Sequence, residues 1–132
     1  MKKLFFICLI FQSISTQCQE ISLFIKSPGT KKLTVKEFKN EDVLQISDST
    51  LKVFSYVIYF ACDNDYHKPT EKDCYVSVAQ VLGNSLKAES VVEIEKKYTT
   101  HFYIVFDYVK CINKEGEIRV LAGLPGKIDI TE

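Results

Sequence analysis

Residues 101–112 form the longest run of β-favouring residues in the chain, and they leave few folds open. Phe102, Ile104, Phe106, Tyr108 and Ile112 fall on one face at period two. Tyr103, Val105, Val109 and Cys111 make the opposite face nearly as apolar. A strand of this kind belongs in the middle of a sheet, covered above and below. Residues 51–61 repeat the pattern, with Val53, Val57 and Tyr59 on one face and Phe54, Tyr56, Ile58 and Phe60 on the other. The expectation is a mainly β fold: a single antiparallel β-sandwich-like domain of about seven strands with one short helix, both long strands lying centrally.

The N-terminus reads as an export signal. Lys2 and Lys3 precede an apolar stretch from Leu4 to Phe11, followed by polar Gln12, Ser13, Ser15, Thr16 and Gln17 around Ile14. The apolar stretch is too short to cross a bilayer. A cut after Cys18, with Thr16 at the −3 position, makes residues 1–18 a signal peptide and 19–132 a single secreted β-rich domain; a cut after Ser15 is the alternative. Lipidation of Cys18 is disfavoured because Ser15, Thr16 and Gln17 lack the Leu and small residue such a site wants. The expected location is therefore secreted or periplasmic, with no membrane span in the exported part. Losing Lys2 and Lys3 takes the basic residues from 17 to 15 against 17 acidic ones, a net charge of −2 with both signs interspersed. Such a surface has no attraction for nucleic acid or acidic lipid.

With Cys8 and Cys18 removed, Cys62, Cys74 and Cys111 remain, an odd number. Cys62 ends one apolar strand and Cys74 begins the next, which makes them the disulfide candidates. Closing a stretch of about 13 residues this way stabilises by roughly 3 kcal/mol when the geometry is relaxed. Three half-buried thiols, or a pairing of Cys111 with either of the others, are the alternatives.

Between the long strands the punctuation is regular. Ile21, Leu23 and Ile25 alternate as a first strand that Ser27, Pro28, Gly29 and Thr30 end. Thr34 and Glu37 have capping-box spacing with Phe38 as an inward anchor, although Leu33, Thr34 and Val35 also read as strand. Asp48, Ser49 and Thr50 are turn chemistry. The stretch 63–73 is a polar loop, and 75–81 a third strand stopped by Gly83 and Asn84. Val91, Ile94 and Tyr98 make a helical stripe, with Ser90 and Glu93 at capping spacing and Glu93 facing Lys97, although the alternation of Val92 and Ile94 also allows a strand. Asn113, Lys114, Glu115 and Gly116 form a hairpin turn, Glu117 to Leu121 pairs back, and Gly123 to Gly126 turns again. Lys127 to Thr131 then closes the sheet as an edge strand.

No constellation of reactive groups converges. Cys62, Asp63, Asp65, His67 and Cys74 gather metal-ligand types, but without a paired C-x₂-C, and without the Gly and Glu positions of a calcium loop. His101 and Cys111 lie ten residues apart on one strand, about 33 Å at extended rise, so that strand cannot bring base and thiol together. No G-x-S-x-G elbow or phosphate-cradling glycine loop is present. No catalytic residue, metal or cofactor is expected.

From Val109, Lys110, Cys111 and Ile112, through the turn at Glu115 and Gly116, to Arg119, Val120 and Leu121, the chain resembles the C-terminal domain of the gliding-motility protein GldM of the Bacteroidetes. That family has an aromatic strand running into a short acidic-Gly turn, Arg, and a closing strand. Leu51, Val53, Ser55 and Tyr56 resemble its aliphatic-x-Ser-aromatic strand, and residues 85–97 stand where it has a short helix. The similarity spans residues 33–130 and rests on pattern. It implies a β-rich periplasmic part of the type IX secretion and gliding apparatus that works by protein contact. The chain departs from the family in lacking its transmembrane helix, helical bundle and preceding domains, so a stand-alone secreted relative is the expectation. Together these readings predict a non-enzymatic protein-interaction module whose partner is an envelope or secreted protein, using the 127–131 edge and the 63–73 loop. The alternatives are a small secreted metal- or ligand-binding domain and a secreted enzyme.

Overall fold

A computed structural model describes residues 21–62, 76–98, 101–121 and 127–132. Within them the chain runs β1 (Leu23–Phe24), β2 (Lys32–Thr34), α1 (Val35–Asn40), β3 (Gln45–Ile46), β4 (Lys52–Cys62), β5 (Ser77–Leu82), α2 (Glu89–Glu95), β6 (Phe102–Ile112), β7 (Ile118–Val120) and β8 (Ile128–Thr131). The fold is mainly β and its sheets do not close into a barrel. One sheet has strand order β2-β8-β6-β4-β5 with β7 also beside β6, and β1 and β3 form a small second sheet. The two long apolar strands do lie centrally, paired antiparallel from Lys52 opposite Ile112 to Cys62 opposite Phe102. The single departure from antiparallel pairing in the large sheet is β2 beside β8.

An aromatic cluster ties the large sheet to its cover. Phe60 and Phe102 stack at 6.0 Å between ring centroids, and Phe38 of α1 meets both edge-on at 6.3 and 6.4 Å. Tyr98, just beyond α2, packs on the same pair while its hydroxyl donates to the Phe60 carbonyl. Leu23, Ile25, Leu44, Leu86 and Val91 complete one continuous core with them. The short helix α1 is held at its start by both halves of the predicted capping box: the Glu37 backbone N–H donates to Thr34 Oγ1, and the Thr34 N–H donates to the Glu37 carboxylate. Lys26 also donates to Glu37 at 2.5 Å, and this hydrogen bond, followed by the one from Thr34, holds that carboxyl below its usual range.

Three expectations are corrected. First, the period-two faces of both long strands change phase partway. Between Val53 and Ser55 the strand β4 carries an extra residue, and between Ser55 and Val57 the extra residue lies on β6. Val109 and Cys111 therefore join Phe102, Ile104 and Phe106 in the core, while Tyr108 turns out to solvent at φ 45° with its N–H donating to Asp107 Oδ1. In β4, Val53 is buried and Phe54 exposed, the reverse of simple alternation. Second, among the described residues no element packs over the other face of the large sheet, and its central Val57, Tyr59, Tyr103 and Val105 are half-buried rather than buried. Third, β8 is no edge: it pairs with β6 on one side and β2 on the other, because Ile128 and Ile130 are buried and Leu33 comes back alongside Ile130. At α2 the stripe of Val91 and Tyr98 is buried as expected, but the cap position is Ala88 rather than Ser90, and Glu93 pairs with Lys96 rather than Lys97.

Candidate functional site

Cys62 is half-buried at the end of β4, and Cys74 lies outside the described residues, as do Asp63, Asp65 and His67. The expected Cys62 to Cys74 bridge, the metal-ligand cluster and the 63–73 loop thus fall wholly or partly beyond what the structure describes. Among the described residues there is no disulfide, and no group of three or more His, Cys, Asp or Glu placed to hold a metal. His101 and Cys111 stand at opposite ends of β6, the first beside the strand pair Cys62 and Phe102, the second opposite Val53. Cys111 is fully buried, and burial, with the nearby Asp48 charge, pushes its thiol up from its ordinary value. A thiol raised in this way is a poor nucleophile.

One depression of about 230 Å³ lies between the Asp48 turn and the hairpin turn at residues 113–115, with Arg119 on its rim. Its acceptors are spent locally. Asp48 takes hydrogen bonds from the Thr50 hydroxyl at 2.6 Å and the Thr50 N–H at 2.8 Å, which hold its carboxyl below the usual range. Asn113 in turn accepts from the Glu117 N–H and donates to its carboxylate. These hydrogen bonds build two turns, and Lys114, Glu115 and Arg119 complete the lining without forming a convergent reactive set.

The uncovered face of the large sheet is different in kind. Val78, Tyr59 and Val105 stand in register across β5, β4 and β6, and Gln80, Val57 and Asp107 form the next row. Around them Leu82 is 80% exposed, Tyr108 63% and Val120 61%, with Val76, Ile118 and Phe54 also open. Single exposed apolar residues are ordinary, but neighbouring strands presenting them side by side make a patch of the kind that marks contact sites. Charge enters this face at Asp107 and at Lys110, which stands between Ser55 and Val120, and lies at its margins at Lys52 and at Lys127, 3.6 Å from Asp129 and over the Tyr103 ring. Backbone geometry sets the most exposed aromatic among the described residues. A bulky residue at positive φ is uncommon, and here the β6 bulge re-aims Tyr108 outward while returning Val109 to the core.

The sheet's own edge is the second feature. Beyond β5 no strand lies among the described residues, and Ser77–Leu82 carries no charged side chain, Pro or bulge of the sort that usually blunts an edge. The sequence reading places the edge at residues 127–131, but which strand ends up outermost is set by pairing across the sheet. Compared with known proteins, this chain matches no family model, no curated protein and no solved structure.

Proposed function

We propose that the protein is a secreted or periplasmic, non-enzymatic protein-interaction module, comparable in role to the C-terminal domain of GldM that its sequence resembles. Residues 1–18 act as its export signal, and its partner is another envelope or secreted protein. The observation that carries the reading is the apolar face formed by β5, β4, β6 and β7, which no described element covers and from which Tyr108, Val120 and Leu82 stand out. Burying such a face against a partner removes apolar area from water, the main source of association free energy.

A cross-linked pull-down from the envelope or medium tests this, run with the wild type and with Tyr108→Lys/Val120→Lys. Both positions are exposed, so the variant should fold. A protein retained by the wild type and lost from the folded variant supports the module. Retention of no protein, together with substrate turnover or stoichiometric zinc bound through Cys62, His67 and Cys74, would refute it in favour of an enzyme or metal-binding domain.

A further inference from the structure

We infer that β5 pairs with β5 of a second copy of this chain, antiparallel about a two-fold axis at Gln80, joining two large sheets edge to edge. The hydrogen-bond phase of β5 comes first. The Gly83 N–H donates to the Phe54 carbonyl at 2.6 Å, while Ser55 stands opposite Leu82 and Tyr56 opposite Val81. In an antiparallel ladder this makes Phe54 with Gly83, Tyr56 with Val81, and Ile58 with Ala79 the hydrogen-bonded pairs. The N–H and C=O groups of Ser77, Ala79 and Val81 therefore point to β4, and those of Val78, Gln80 and Leu82 point out at the edge, where no described strand pairs with them.

Those three residues are self-complementary. With the two-fold at Gln80, Val78 faces Leu82 of the second copy, Gln80 faces its own mate, and Leu82 faces Val78. All three sets of outward backbone groups are then matched, making about six hydrogen bonds. An axis centred on Ala79 or Val81 leaves one set unmatched. The side chains agree with this register. Val78 and Leu82, both exposed, meet across the axis on the uncovered face. The two Gln80 amides, each both donor and acceptor, can pair with one another. On the covered face Ala79 and Val81, both buried, meet Val81 and Ala79.

Charge selects this edge over the others. A two-fold axis brings each side chain near its own copy, so a charged residue at the centre repels itself. The strand Ser77–Leu82 has none, whereas β2 begins at Lys32 with Lys31 just before it and β7 carries Arg119 at its middle. A strand pair of this length is a small contact, so the dimer should be reversible and concentration-dependent. It also runs the apolar faces of two copies into one surface. It uses the edge of the sheet, separate from the face that carries the interaction reading above.

Sedimentation velocity on the full chain, from micromolar to millimolar, tests the pairing with Gln80→Lys and Gln80→Glu. Gln80 is exposed, so neither change touches the core. The wild type should pass from monomer to dimer over this range. Each variant alone should stay monomeric, its association weakened at least ten-fold, and an equimolar mixture of the two should recover dimer because Lys then faces Glu across the axis. A monomeric wild type throughout overturns the inference, as does a Gln80→Lys chain that still dimerises. Dimerisation abolished by Tyr108→Lys/Val120→Lys but untouched at Gln80 also overturns it, placing self-contact on the sheet face.

Discussion

Tyr56 is fully buried between β5 and β6, and it uses its hydroxyl to hold a loop in place. That hydroxyl donates to the Ser85 carbonyl at 2.5 Å, just where the chain leaves β5. Tyr56→Phe keeps the ring and strands the carbonyl, so urea unfolding should show a loss of about 1 kcal/mol. Burial also holds the phenol's pKa above its ordinary value. The folded state therefore keeps a proton that the unfolded state gives up. This contribution is whole below about pH 10 and is lost as pH rises from there towards the folded value, so the Tyr56→Phe variant should lose less stability in alkali than the wild type. At Cys111 burial acts on a thiol instead. An aromatic disulfide reagent should leave Cys111 untouched in the native protein and react with it once denaturant is added, as followed by mass spectrometry of the labelled peptide.

The bulge in β6 is an element-scale device, and its cost falls on Tyr108, whose φ of 45° is reached by few residues other than glycine and asparagine. In an ordinary strand position Val would be a better choice than Asn. Here the order should reverse, with Tyr108→Val less stable than Tyr108→Asn by about 1 kcal/mol in denaturant midpoint, since a β-branched side chain is strained at positive φ. The normal strand ranking at this position would show that the bulge is absent in solution. Helix α1 was legible because its signals are local: Thr34 and Glu37 are three residues apart, and a capping box needs nothing else. The bulges were not legible, because Tyr108 reads as a good strand residue and only the partner strand's phase reveals that it is surplus.

On the scale of the molecule, Phe38 is where cover meets sheet. It lies 2% exposed and touches Phe60 of β4 and Phe102 of β6, so it couples a six-residue helix to both central strands. Phe38→Ala should cost about 3–5 kcal/mol, a large share of the total stability of a single domain. Calorimetry should show a clear fall in Tm for this variant. Val120→Ala, on the uncovered face, should leave Tm nearly unchanged. If both variants fell alike, that face would be covered in the folded protein and could not serve as a contact surface.

Hydrophobic periodicity and turn chemistry were enough, from the sequence alone, to indicate a β domain built on two long strands, the capping-box spacing of Thr34 and Glu37, and the hairpin at residues 113–116. Each depends on residues near one another in the chain or on total apolarity. Tertiary structure alone decided that β8 lies inside the sheet, that β5 is its bare edge, and that one face stays open among the described residues. Val78, Tyr59 and Val105 read the same whether or not anything covers them, because β-branched and aromatic residues suit a half-buried pleated surface as well as a buried one. Outermost position and cover are properties of strand order, and strand order follows from pairings between residues as far apart as Leu33 and Ile130.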